Sequence, residues 1–291
     1  RRSSDLKIDT GDRHGEGKTY GNLGAVFRSL GEYQKAKGYH EKALVIEVEI
    51  GDRNGEGTTY TNLGTVFYSL GEYQKAKEYY EKALAIKIDT GDRHGEGVTY
   101  GNLGGVSFAL GEYQKAKENS EKALAIAVEI GERSGEVTAY GNLGSVFYSL
   151  SEYQKAKEYY EKALAVAIEI GDRNGEGKTY KNFGTVFHSL GEYQKAKECN
   201  EKALAVAIEI GDRNGEGTTY GDLGGVFYSL GEYQKSKEYY EKALAIAIEI
   251  GDRYGEGRIY MNLGVVFSTL GEYQKAKEYH EKALEIGRAH V

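Results

Sequence analysis

A 15-residue phrase that returns every 40 residues constrains the fold of this chain more than any other feature. In its second copy the phrase runs from Leu70 to Leu84, and edited copies begin at Leu30, Leu110, Leu150, Leu190, Leu230 and Leu270. A second phrase, Gly51 to Gly57, separates the copies and occurs seven times between Gly11 and Gly257. A fixed period of this length predicts a solenoid, in which each repeat packs mainly against its neighbours.

The composition excludes several classes of protein. The 41 glycines sit at fixed points of the repeat and the chain has no proline, which argues against collagen and against disorder. The net charge of −7 argues against a nucleic-acid partner, because a phosphate backbone needs a basic surface. No apolar run reaches membrane-spanning length. The single cysteine, Cys199, has no partner in the chain for a disulfide, so we expect a reducing compartment, the cytoplasm.

Both ends of the chain depart from the repeat. Residues 1–6 and 287–291 resemble translated sequencing adapters, and we expect them to be non-native tails. The array then spans residues 7–286 as a single domain and is expected to be a piece of a longer protein. Helix faces cut at its two ends would be apolar, which predicts fraying or end-to-end self-association.

Each repeat is predicted to hold two helices, A and B. In residues 51–90, Gly51 is expected to end the preceding helix and Asp52 to cap helix A. Gly71 separates helix A from helix B, which is expected to run from about Glu72 to about Thr90. The spacing of apolar residues predicts the buried stripes, which are Tyr60, Leu63, Gly64 and Phe67 on helix A and Tyr73, Ala76, Tyr80, Ala83, Leu84 and Ile86 on helix B. Sites where small or polar residues interrupt these stripes are expected to be looser, namely Ser107, Ser120, Asn200 and Ser236.

The repeat resembles the tetratricopeptide repeat, whose pattern of aromatic, Leu-Gly and aromatic on helix A, then Ala, aromatic and Ala on helix B, falls here on Tyr60, Leu63, Gly64, Phe67, Ala76, Tyr80 and Ala83. The resemblance implies an all-α protein, a right-handed α-solenoid of seven helix-turn-helix units. These units are residues 11–50, 51–90, 91–130, 131–170, 171–210, 211–250 and 251–286. The 40-residue variant is similar to the Partner-of-Inscuteable/LGN group and to long animal repeat arrays.

The resemblance further implies that the A helices line a concave groove. An asparagine precedes Leu-Gly or Phe-Gly in six units and an aspartate in the sixth, giving the ladder Asn22, Asn62, Asn102, Asn142, Asn182, Asp222 and Asn262. An amide both donates and accepts hydrogen bonds, so such a ladder can hold the backbone of an extended peptide. The alternative is that each asparagine bonds a neighbouring helix and holds the stack together.

Two further sets of groove positions favour a ligand. Aromatic side chains follow the second conserved aromatic of helix A at Tyr68, Tyr148 and Tyr228, where they can form pockets or pack between units. Basic residues gather at Lys178, Lys181, His188 and Arg258, which favours an acidic partner near the fifth unit, although solvated lysines that bind nothing are the alternative.

No catalytic, cofactor or metal site is predicted. The phrase at Asp52 imitates a calcium-binding loop, but Leu63 stands where that loop needs a glutamate. The best interpretation is therefore a scaffold, not an enzyme, that binds an extended or helical peptide segment. Two alternatives remain open: the array is the recruiting arm of a larger enzyme or switch, or it is a passive spacer or self-assembly element.

Overall fold

The computed structural model describes the backbone of residues 2–288 and the side chains of residues 13–288, so the predictions about the terminal tails lie largely outside the described residues. The described chain forms helices and turns without strands, in agreement with the predicted α-solenoid of seven helix pairs. The helices are α1 (Arg2–Ser29), α2 (Tyr33–Ile50), α3 (Arg53–Ser69), α4 (Tyr73–Asp89), α5 (Arg93–Ala109), α6 (Tyr113–Ile130), α7 (Arg133–Ser149), α8 (Tyr153–Ile170), α9 (Arg173–Ser189), α10 (Tyr193–Ile210), α11 (Arg213–Ser229), α12 (Tyr233–Ile250), α13 (Arg253–Thr269) and α14 (Tyr273–Arg288).

Glycine and aspartate set the helix boundaries as the sequence predicts. Gly51 has φ +72° and ends α2 in the left-handed conformation. The Asp52 carboxylate then accepts a hydrogen bond from the Gly55 amide at 2.9 Å and caps α3. Between the helices of a unit, Gly71 has φ +75°, and Ser151 takes the same left-handed conformation at the corresponding position of the fourth unit.

The first unit differs from the following units at Gly11. Helix α1 runs without a break from Arg2 to Ser29 and therefore passes through Gly11, whereas the equivalent Gly51 and Gly91 end a helix. At Gly51, the turn is held because Asp52 donates its backbone amide to the Glu47 carbonyl of a packed helix B.

The core forms both within a unit and between neighbouring units. Leu63, Val66 and Ala76 are fully buried. Gly64 allows the close crossing of α3 and α4, because a Cβ added there would lie 2.6 Å from the Tyr80 ring. Phe67, Ala76 and Tyr80 form one cluster with Leu103 and Val106 of α5, which belongs to the next unit. The predicted stripe on helix B is correct for most of its members, but Tyr73 and Leu84 are half-buried, because they lie at the margin of the helix pair.

An arginine at the start of helix A is linked to an acidic residue at the end of helix B of the same unit. Arg93 donates from Nε to Glu129 at 3.2 Å, and the same link joins Arg173 to Glu209 at 3.0 Å. In the second unit Asp89 is one carbon shorter than glutamate, and Arg53 lies 3.9 Å from it. These pairs are exposed, so each contributes little stability and mainly orients the two helix ends.

The helices group into two compact units, one up to Leu150 and the other from Ser151 onward. The first contains α1 to α7 and the second α8 to α14. Across residues 2–288, none of the helices combines the length and apolar character that crossing a membrane requires.

Candidate partner-binding face

The A helices form a continuous row within each compact unit. In the first, α1 contacts α3, α3 contacts α5 and α5 contacts α7, and in the second α9 contacts α11 and α11 contacts α13, all at Cα distances of 8 Å or less. Within either compact unit, no consecutive B helices approach each other this closely over the described residues. Side chains that project from neighbouring A helices therefore lie near each other and can contact one ligand together.

The asparagine ladder lies on this row, partly accessible and without internal hydrogen bonds. Asn22 is exposed, and the other five asparagines are half-buried, these being Asn62, Asn102, Asn142, Asn182 and Asn262. Among residues 13–288, none of these six amides donates or accepts a hydrogen bond to another protein group. The geometry therefore offers no support for the alternative that the amides bond a neighbouring helix, and leaves their donors and acceptors to solvent or a ligand.

Tyr68 and Tyr228 on the row of A helices each pack against the tyrosine that begins helix B of the same unit. The Tyr68 ring lies 5.2 Å from the Tyr73 ring, and the Tyr228 ring lies 5.3 Å from the Tyr233 ring. Tyr68 keeps 40% of its surface exposed, whereas Tyr148 and Tyr228 are half-buried. Both ring pairs are tilted, with interplanar angles of 60° and 57°, an arrangement that aromatic pairs favour over face-to-face stacking.

The sequence pattern did not single out these second tyrosines, although it contains the signal. A tyrosine opens helix B in all seven units, and the same phrase carries it each time at Tyr33, Tyr73, Tyr113, Tyr153, Tyr193, Tyr233 and Tyr273. Apolar periodicity assigned this position to the buried stripe. The helix crossing instead places Tyr73 at the edge of the core, beside Tyr68.

The basic residues of the fifth unit make contacts across to the sixth. Lys181 donates from Nζ to the Thr218 hydroxyl at 2.9 Å and lies 3.9 Å from the nearer carboxylate oxygen of Asp222. His188 Nε2 lies 3.0 Å from the Ser229 hydroxyl. These residues are thus held by α11, and their contacts with it were not foreseen from the sequence.

The remaining predicted basic residues are more accessible. Lys178 on α9 and Arg258 on α13 are both exposed. Neither makes an ion pair or a hydrogen bond through its side chain within the part of the chain that the structure describes. Both side chains are therefore available to a ligand.

Asp222 is the electrostatic exception in the ladder. Its Oδ2 atom is buried and has no hydrogen-bond partner. Burial raises the pKa of the Asp222 carboxyl group, and the nearby charges of Lys181 and Arg258 oppose that rise. The pKa of Tyr240 rises to about 12, first because of its own burial and then because of the Asp222 charge.

The described residues provide no support for chemistry at Cys199 or at a metal. The Cys199 side chain is half-buried, and burial raises the pKa of its thiol, which disfavours the thiolate that a nucleophile needs. Between residues 13 and 288, no group of three His, Cys, Asp or Glu side chains could hold a metal ion.

Comparison with known proteins gives a family and a fold. The family model described as "Tetratricopeptide repeat" matches residues 11–89, 95–169, 137–209 and 215–289. No curated protein sequence matches the chain significantly.

Solved structures of similar fold cover nearly the whole chain. Aspartyl phosphate phosphatase F from Bacillus subtilis has a TM-score of 0.78 at 17% identity, covering 98% of this chain and 73% of that one. The quorum sensor NprR from B. thuringiensis has a TM-score of 0.77 at 18% identity, covering 97% and 80%. A Rap protein complexed with Competence and Sporulation Factor has a TM-score of 0.73 at 17% identity, covering 94% and 75%. At these identities the similarity establishes the fold alone.

Proposed function

Because this chain belongs to the tetratricopeptide repeat family, we propose that it is a non-catalytic scaffold that binds a segment of another protein along its row of A helices. The observation that carries this proposal is the ladder of amides without internal hydrogen bonds. Each carboxamide offers a donor and an acceptor, which is what the backbone of an extended segment requires at regular intervals. The solved Rap protein bound to Competence and Sporulation Factor is consistent with a binding role for this fold.

The surroundings of the ladder indicate what kind of segment would bind. Tyr68 and Tyr228 lie on the same A helices as ladder positions 62 and 222 and provide apolar contact area along the row. Among the residues that the structure describes, Lys178 and Arg258 have no ion-pair or hydrogen-bond partner, and both favour acidic groups on the ligand. We therefore propose an acidic protein or peptide segment, extended or helical, as the partner.

Three broader proposals accompany this function. The seven units, residues 7–286, act as a single array, and its ends have a tendency to self-associate. The chain is related to the Partner-of-Inscuteable/LGN group, with which it shares Gly-Asp-Arg and Asn-Leu-Gly within a 40-residue unit. Its lone cysteine favours a cytoplasmic location.

A pull-down with matched variants tests the function. In one variant alanine replaces five amides of the ladder, at Asn62, Asn102, Asn142, Asn182 and Asn262. In the control variant alanine replaces five exposed amides of the B helices, at Gln34, Gln74, Gln154, Gln234 and Gln274. Both variants lose the same number of carboxamides, and circular dichroism verifies that both stay helical.

We expect a partner that the wild type and the control variant retain and the ladder variant loses. Equal recovery by all three proteins would place binding elsewhere on the molecule. Failure of the wild type to retain any partner would favour the spacer interpretation.

A further inference from the structure

Asp222 is the member of the ladder that departs from asparagine. An asparagine side chain can donate and accept, whereas an ionised carboxylate can only accept. A ligand group that suits Asn182 or Asn262 through its acceptor atoms therefore does not suit Asp222. The aspartate therefore makes the sixth position of the ladder chemically different from the six asparagine positions.

The Asp222 carboxylate is partly buried but receives no hydrogen bond from the described protein groups. Neither of its oxygens takes part in a hydrogen bond within residues 13–288. The Lys181 ammonium lies 3.9 Å from Oδ2, beyond hydrogen-bond distance, and its donor is directed at Thr218. The Asp222 side chain is nevertheless 30% exposed although Oδ2 is buried, so the carboxylate remains open to solvent on its Oδ1 side.

Cations flank Asp222 on both neighbouring A helices. Lys181 lies on α9 and uses one of its three ammonium protons for Thr218. Arg258 lies on α13, close enough to influence the charge state of Asp222, and its guanidinium makes no ion pair or hydrogen bond with any described residue. The Arg258 guanidinium reaches α11, where a Cβ added at Gly221 would lie 3.9 Å from it, in ordinary contact.

The three charges alternate in the order positive, negative and positive along the row, from α9 through α11 to α13. A ligand complements them when it presents acceptors to Lys181 and Arg258 and a donor to Asp222. Packed helices have axes about 8–10 Å apart, and an extended chain advances about 3.3 Å per residue. Consecutive A helices thus face ligand residues about three apart.

We propose that Asp222 sets the sequence preference of the groove: it binds a lysine or arginine side chain of the ligand, and acidic residues about three positions to either side contact Lys181 and Arg258. This inference rests on the proposed function, since it requires that a segment lies along the A helices. The inference goes beyond the proposed function because it assigns a basic ligand residue to the sixth unit, although the surrounding groove positions favour acidic ligand residues.

Selection from a displayed library of random dodecapeptides tests the proposal, with the wild-type chain and the D222N variant as targets. D222N is nearly isosteric and restores the residue found in the six other units, so the fold is expected to be unchanged. Amide exchange of α11 checks this. We expect peptides selected by the wild type to carry a basic residue with acidic residues about three positions before and after it. Peptides selected by D222N keep the acidic residues and lose the basic preference.

A pair of synthetic peptides then measures the effect. One is the consensus of the wild-type selection, and the other has glutamine in place of its central basic residue. By fluorescence anisotropy we expect the wild type to bind the second peptide about tenfold more weakly, and D222N to bind the two within about twofold of each other.

The outcomes separate the two proposals. This inference would be overturned if the wild type selected peptides without a preference for a basic residue, or if D222N selected peptides with the same preference as the wild type. In either case, peptides whose binding depends on the amide ladder would leave the proposed function standing. If the wild type selects no peptide above background, both proposals fail.

Discussion

The second and third repeats have nearly the same helix boundaries but differ in the side chains at the aromatic positions of the core. In the second, Phe67 stacks on Tyr79 with ring centroids 5.1 Å apart, and the Tyr80 hydroxyl lies 3.2 Å from that of Thr65. In the third, the three aromatic positions hold Ser107, Asn119 and Ser120. Ser107 and Ser120 are fully buried, and neither hydroxyl has a hydrogen-bond partner.

The missing aromatic ring at Ser107 changes the contact made by a lysine of the preceding unit. Lys37 and Lys75 both lie 5.5 Å from the centre of the Phe67 ring. Lys77 is the counterpart of Lys37 for the third unit, where Ser107 offers no ring. Lys77 instead donates to Glu112 at 2.6 Å, and this hydrogen bond raises the pKa of Lys77.

The comparison teaches that the helix frame does not depend on the aromatic core of any one repeat. Helices α3 and α5 begin and end at matching residues, as Arg53–Ser69 and Arg93–Ala109. Glycine turns and aspartate caps fix these bounds, while the aromatic residues contribute stability. The expectation that the third unit is locally looser stays a prediction, which the following variants test.

Tyr80→Ser, which copies the third unit into the second, should have the largest effect. It removes a buried ring that packs against Leu103 and Val106, and we expect a loss of about 3–4 kcal/mol. Urea unfolding gives the total loss, and amide exchange in α4 and α5 locates it. A loss below about 1 kcal/mol would show that the frame closes around a missing ring at little cost.

The first unit extends the comparison to pH, because His40 occupies the helix B position of Tyr80. His40 is fully buried, both ring nitrogens lack partners, and burial, with a smaller effect of Arg28, lowers its pKa to about 4. The unfolded state binds the proton more tightly, so stability is constant above about pH 6.5 and falls as the pH drops toward 4, by up to about 3 kcal/mol.

Amide exchange in α2 as a function of pH measures this loss. The His40→Tyr variant should lack the pH dependence between about 6.5 and 4. The same slope in wild type and variant would assign the acid sensitivity to other groups.

Ser107→Phe restores the aromatic residue to the third unit and should stabilise it moderately. We expect a gain of about 1–2 kcal/mol, since a phenyl ring is buried and the unpaired hydroxyl disappears. Ser107→Ala is the control that removes the hydroxyl without filling the site. Thermal unfolding compares them, and destabilisation by phenylalanine would mean that α5 and its neighbours have closed around the serine.

Glu132→Asp should have the smallest effect, at the turn that follows the third unit. Asp92 accepts a hydrogen bond from the Gly95 amide at 2.8 Å, whereas the longer Glu132 makes no capping bond to α7 and accepts from the Ser134 hydroxyl. Aspartate should restore the cap and add about 1 kcal/mol. Slower amide exchange in the first turn of α7 would verify it, and unchanged exchange would show that the cap contributes little there.

The sequence by itself determined the helices and their order. Gly51 and Asp52 define a boundary through their own backbone and side-chain chemistry, and the positions of Leu63 and Ala76 define the buried faces, because helical periodicity is a local property. The family, the repeat length and the asparagine ladder were readable for the same reason.

Only the tertiary structure decided the partners of individual side chains. Lys77 donates to Glu112 and Lys181 donates to Thr218, and both contacts join residues about 40 positions apart. The lack of hydrogen bonds at the ladder amides, within residues 13–288, likewise depends on how neighbouring units pack. Such contacts are determined by the packing of one unit against the next. The spacing of residues within a unit does not predict that packing geometry.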